Sequence, residues 1–220
     1  MRKAICIILL TFWLFAPPVA RPQGTIFLSN LGETSAGGVA TGNDAWIAKP
    51  FSTGNEPGGY TLDSVQLLMR NPAGSPGGFK VLIYSSDLRQ PANSLGSLSG
   101  PEPSTAGVFT YASAGIMLAR STLYFIVVTA GTPVANGSYD WSFANTGSCF
   151  TADQWLNFTY SYASSDGSQW TRNDQPFQFA VSATAVPEPA TYALVVLLGG
   201  GWLVWRRRKS TCQEKLQETS

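Results

Sequence analysis

The chain contains no histidine, and only three of its 220 residues are cysteine. The first absence removes the Ser-His-Asp and Cys-His catalytic arrangements and most zinc sites, all of which need an imidazole. The second removes an internal disulfide from the central region: Cys6 lies in an apolar leader, Cys212 lies beyond a basic cluster near the C-terminus, and Cys149 stands alone between them. Beside Phe150, Cys149 reads as a small buried hydrophobe, with a free thiol as the alternative. Charge is sparse as well, at 12% of residues. Between Arg21 and Val186 there are seven Lys or Arg against ten Asp or Glu, so no basic patch for nucleic acid remains. Long stretches of helical period are also missing. What is abundant is glycine, serine, threonine, asparagine and aromatic residues, the composition of a loop-rich β domain outside the cytoplasm.

The middle of the chain alternates with period two. "DSVQLLM" sets Val65, Leu67 and Met69 on one face, and "GFKVLIY" does the same with Phe79, Val81 and Ile83. "TLYFIVV" repeats the pattern with Tyr124, Ile126 and Val128, "SYDWSFA" with Tyr139, Trp141 and Phe143, and "PFQFAVS" with Phe177, Phe179 and Val181. These are five strong strands. Weaker ones fall at Thr25 to Ser29, Ala45 to Phe51, Gly107 to Tyr111 and Leu156 to Tyr162, and "TGNEPGG", "RNPAGSPGG" and "GTPVANG" read as punctuation. Nine strands with one apolar face each must pack as two antiparallel sheets, so residues 24–184 are expected to form an all-β, jelly-roll-like antiparallel β-sandwich.

The two ends are different in kind. Residues 1–20, with Arg2 and Lys3 ahead of an apolar run and small residues up to Ala20, read as a secretory signal peptide cleaved near Ala20. An uncleaved anchor is the competing reading, although the run falls short of the ~20 residues a membrane span needs. At the other end no charge occurs from Ala190 to Trp205. As a helix at ~1.5 Å per residue this stretch covers about 24 Å, less than the ~30 Å hydrocarbon core. Trp202 and Trp205 at the interface and a snorkelling Arg206 make up the difference, giving a single transmembrane helix over 190–205. The cations Arg206, Arg207, Arg208 and Lys209 form the membrane stop, and residues 210–220 form a cytoplasmic tail under the positive-inside rule. In front of the helix stand Pro187, Glu188 and Pro189, whose prolines fix φ and hold the tripeptide extended just outside the bilayer.

Residues 186–209, a Pro-Glu-Pro motif, a short apolar helix and an Arg-rich stop, resemble the PEP-CTERM sorting signal of Gram-negative bacteria. The resemblance implies that the chain is exported, held in the membrane by its C-terminal helix, and processed at the motif by exosortase, a transpeptidase-like membrane enzyme, for delivery to the cell surface or the extracellular matrix. Two features depart from the common pattern: Ala190 stands where serine is usual, and eleven residues follow the basic cluster. In the central region the order "YTLDSVQLLMRN", "GGFKVLIYSS", "QPANSLGSLSG", "LARSTLYFIVVTA" resembles the choice-of-anchor R domain of bacterial surface proteins, which occurs joined to different anchoring tails. A second Pro-Glu-Pro, Pro101 to Pro103, is followed by neither a span nor a charged stop and reads as a loop between strands.

No catalytic residues, cofactor or metal ligands emerge from this pattern. The expected role is non-enzymatic: a structural or adhesive component associated with exopolysaccharide in a biofilm. The alternative is a carbohydrate-binding module in which exposed rings stack on the apolar faces of sugars, with Trp46, Trp155 and Trp170 as the candidate platform beside Tyr160 and Tyr162. Core filling is the competing role for each ring, and Trp170, amid the polar run "SSDGSQ" and Thr171–Arg172, reads as the most exposed. A third reading, a glycoside hydrolase, would need two facing carboxyl groups, for which Asp140 and Asp153 are candidates. Calcium at Asp166 and Asp174 is opposed by the lack of alternate-residue ligand spacing in "SSDGSQWTRND", which reads as a solvated turn.

Overall fold

Alternation of apolar and polar residues gives the principal central strands one inward face, and these strands pack as two facing sheets. A computed structural model describes residues 24–187. The signal peptide 1–20, Glu188 and Pro189, the helix 190–205, the stop Arg206 to Lys209 and the tail 210–220 lie outside the described residues. In chain order the strands are β1 (Thr25–Ser29), β2 (Ser35–Thr41), β3 (Trp46–Ser52), β4 (Tyr60–Gly74), β5 (Lys80–Asp87), β6 (Gln90–Leu98), β7 (Gly107–Ala112), β8 (Met117–Leu118), β9 (Leu123–Thr129), β10 (Gly137–Ala144), β11 (Phe150–Thr151), β12 (Leu156–Asn157), β13 (Ser161–Ser164), β14 (Thr171–Asn173) and β15 (Phe179–Ala185). One 3₁₀ turn, Val134–Asn136, is the only helical element among the described residues, and none of their helices is long and apolar enough to cross a membrane.

The first sheet has eight strands in the order β11-β1-β15-β4-β10-β2, with β7 and β8 also on β4. The second has seven, in the order β14-β13-β3-β9-β5-β6, with β12 also on β3. Every strand pair is antiparallel. The antiparallel sandwich expected from the sequence is therefore what the chain forms, with more strands than the eight of a simple jelly roll. The long β4 organises the first sheet: β15 lies along its first part and β10 along its last, end to end on one side, while β7 lies on the other.

The inward sets match the alternation. Val65, Leu67, Met69, Val81, Ile83, Tyr124, Ile126, Val128, Tyr139, Trp141, Phe177, Phe179 and Val181 all belong to the core between the sheets, with Phe79 and Phe143 packed against it. Two expectations are corrected. "RNPAGSPGG" is not all punctuation, because β4 continues through Gly74 to pair with Gly137. Cys149 is half-buried rather than enclosed, and its neighbour Phe150 is 60% exposed at the edge strand β11. The second Pro-Glu-Pro lies outside any strand, as expected, and it ties two parts of the fold together. Its Glu102 accepts hydrogen bonds from the Gly78 N–H and the Tyr139 hydroxyl, both at 2.8 Å. The Tyr139 bond holds the Glu102 carboxyl below its ordinary pKa.

One buried charge breaks the apolar pattern. Lys49 points into the core from β3, is 0% exposed, and donates to the carbonyls of Phe158 and Tyr160, the latter at 3.3 Å. Its ammonium also lies 5.8 Å from the centre of the Phe179 ring. Burial lowers its pKa to about 7, because a low-dielectric surround penalises the charged form.

Candidate functional site

A strand buried on both faces needs apolar residues at every position, and β9, "LYFIVVT", is such a run. Its inward set fills the core, and its outward residues Phe125 and Val127 seed a second apolar cluster with Ala48 of β3 and Tyr162 of β13. Trp46, Leu82, Tyr84, Leu123, Tyr160 and Trp170 pack over that cluster half-buried. The outer face of the second sheet is thus aromatic, and its rings meet edge to face: Tyr162 lies 5.8 Å from both Phe125 and Tyr160, at 76° and 88°. The Arg172 guanidinium stacks 4.4 Å from the Tyr160 ring centre.

Two hairpins frame this face. The β5–β6 turn has Leu88 at φ 46 and Arg89 at φ 66, the left-handed pair a two-residue hairpin turn demands, here without glycine or asparagine. The Tyr162 hydroxyl donates to the Arg89 carbonyl at 2.9 Å, and because β3 and β9 lie between β13 and β5, the β5–β6 hairpin must arch back over the sheet to receive it. From the opposite side the β13–β14 hairpin brings Trp170 and Arg172.

At the start of β3 the aromatic face runs into an open groove of about 420 Å³. Trp46 forms one wall, and Asp44, Ser164, Ser165, Gln169 and Thr171 supply polar groups around it, with Val39 and Ala40 from the edge strand β2 opposite. The ring is fixed in place. Its Nε1–H donates to the Asn43 carbonyl at 2.9 Å, and Gly167, at φ 79, lies against the ring so closely that a Cβ there would stand 2.8 Å from it. Asp44 is oriented by accepting the Val134 N–H at 2.8 Å.

The three tryptophans named from the sequence part company here. Trp46 and Trp170 both belong to the aromatic face, although Trp170 is half-buried rather than freely exposed. Trp155 is 1% exposed, stacked between Phe27 at 4.9 Å and Phe51 at 5.9 Å with Tyr60 at its edge, so it offers no ring face to a ligand and leaves the platform. Tyr160 is half-buried on the aromatic face and Tyr162 is nearly enclosed within it. Alternation alone misses Phe125, Val127 and Tyr84 because it credits each strand with a single apolar face; the unbroken run in β9 was the available signal.

The acidic candidates are committed elsewhere. Asp140, on the outer face of the first sheet, pairs with Arg70 at 3.3 Å; burial raises its pKa and Arg70 opposes that shift. Asp153 accepts a hydrogen bond from the Tyr60 hydroxyl. Asp166 accepts from the Ser168 N–H and hydroxyl, both at 2.8 Å, bonds that lower its pKa, and Asp174 pairs with Arg172 at 3.5 Å. Among the described residues no group of three or more Cys, Asp or Glu side chains converges as a metal site would require.

Residues 185–209 match the PEP-CTERM protein-sorting motif. The chain is accordingly an exported protein that an exosortase processes, anchored through its C-terminal region until then. The match covers the tail alone, beginning at the last residue of β15. No curated protein and no solved structure matches the chain.

Proposed function

We propose that the sandwich is a non-catalytic structural or adhesive component of the cell surface or extracellular matrix, associated with exopolysaccharide through the outer face of its second sheet. The observation that carries this reading is the Trp46 groove: a ring pinned by Asn43 and Gly167, bordered by a carboxylate, an amide and hydroxyls, and continuous with further half-buried rings. Aromatic faces take the apolar faces of sugars, and neighbouring polar groups fix their orientation. Arg89 and Arg172 lie near Tyr160, so an acidic sugar would meet positive charge at the far side of the same face. A dedicated carbohydrate-binding module is the narrower version of this proposal. Membership among choice-of-anchor domains fits it too, since such a domain brings the binding face and its tail brings the address.

Co-sedimentation of the purified protein with the host's exopolysaccharide, backed by an array of neutral and uronate glycans, tests the reading. Trp46→Ala is expected to weaken binding about tenfold, the loss that corresponds to one good stacking contact, measured below its melting transition because loss of a half-buried ring also lowers the melting temperature. Wild-type protein that binds no glycan on either assay ends the proposal.

A further inference from the structure

We propose that the end of the sandwich from which the chain leaves is the contact surface for the exosortase, and that Val186 must come off the Gly58–Gly59 turn before the sorting motif can be read. This rests on the sorting role of residues 185–209. β15 ends at Ala185, paired with Tyr60, yet the next residue is still held. The Val186 N–H donates to the Gly59 carbonyl at 2.9 Å. Its own carbonyl lies so close over Gly58 that a Cβ there would overlap the oxygen, and the Pro187 carbonyl carbon would stand 3.3 Å from that same Cβ.

The fold therefore ends and the motif begins in consecutive residues, with no linker. Chain length then sets the separation: from Pro187 to Ala190, the first residue of the apolar run, extended backbone reaches at most about 11 Å. An enzyme at the bilayer that takes hold of Pro187 to Pro189 meets this end of the sandwich at once. A cleft that reads an extended tripeptide draws on the main-chain groups beside it as well, as strand-adding recognition does. On the N-terminal side those groups belong to Val186, whose N–H is already occupied.

The turn that occupies it is firmly built. Gly59, at φ 73, donates to the Glu56 carbonyl at 2.9 Å, the Tyr60 hydroxyl accepts the Glu56 N–H at 3.2 Å, and the Ser121 N–H bonds the Gly54 carbonyl at 2.6 Å. The single bond at Val186 is the element that yields. The sandwich thus restrains its own sorting signal, and the enzyme competes with Gly59 for the residue before the motif.

Pulse-labelling of the full chain in an exosortase-bearing host, with precursor and processed forms resolved by mass, tests this. Two variants bear on it: a four-residue Gly-Ser insertion between Val186 and Pro187, which leaves the clasp intact but frees the motif from it, and Gly58→Ala, which expels Val186. Each is expected to be processed about threefold to tenfold faster than wild type, the factor one net hydrogen bond corresponds to, and the combined variant no faster than the insertion alone. An insertion variant processed at the wild-type rate overturns the proposal, whatever Gly58→Ala does to folding. Glu188→Ala separates the two ways of failing. If it is processed normally, the sorting reading falls and this inference with it; if it stops processing while the insertion changes nothing, the restraint alone is refuted.

Discussion

The two outer faces of the sandwich are built on opposite terms. On the first sheet the outward positions include the polar Ser64, Gln66, Thr110, Ser182 and Thr184, where Gln66 bonds Thr110 at 3.2 Å and Thr184 bonds Asp63 at 2.8 Å, interspersed with the exposed apolar Ile26, Val108 and Met117. Four of the polar residues, with Gly24 and Ile26, line a polar hollow of about 370 Å³. On the second sheet the corresponding positions are Phe125, Val127, Tyr162, Tyr84 and Trp46. An antiparallel sheet needs only one apolar face, so the first sheet is the economical design. The second sheet carries an additional aromatic layer that its own hairpins only half cover. Half-buried rings gathered on one side only are the feature on which the proposed glycan contact rests.

If the aromatic face is a second core, an outward residue there must behave as an inward one. Phe125→Ala is expected to cost about 3–5 kcal/mol, the range of an enclosed phenylalanine, whereas Thr110→Ala, exposed on the polar face, should stay within about 0.5 kcal/mol. Chemical denaturation of the two variants measures both, and equal small losses would erase the distinction between the faces.

Lys49 lies beneath the aromatic face, bonded to the carbonyls of Phe158 and Tyr160 at its margin. Its folded pKa of about 7 is below the ordinary 10.5, so between these values the unfolded chain binds the extra proton. Stability should therefore rise as pH increases from about 7 towards 10.5 and be flat, on this account, below 7, with a slope of up to about 1.4 kcal/mol per pH unit. Melting temperatures across that range check the sign, and Lys49→Met should remove the slope.

A modest effect is expected at the arch. Tyr162→Phe removes only the bond to the Arg89 carbonyl and should cost about 1 kcal/mol, with faster hydrogen exchange confined to the β5–β6 turn. Unchanged exchange there would mean that the hairpin holds its arch without Tyr162.

Much of this is legible along the chain, for a physical reason. Period-two alternation records which side of a strand meets the core, so Val65, Leu67 and Met69, or Ile126 and Val128, are correctly placed without any structure. The same logic passes over strands that lack it: β2, "SAGGVAT", pairs with β10 through small residues that carry no apolar signal, and β6, "QPANSLGSL", is a polar edge. Of the three candidate tryptophans, Trp155 is lost because a ring between Gln154 and Leu156 looks the same whether the chain turns it inward or outward.

The order of residues alone carries the sorting motif and the fold class, because a motif is a linear pattern and because sheet faces follow from alternation. Which rings share a face, why Trp46 borders a groove while Trp155 is sealed, and how closely Val186 is tied to Gly59 depend on residues far apart in sequence meeting across strands. Those meetings are set by the packing of the sheets and the curl of two hairpins, and no local pattern encodes them.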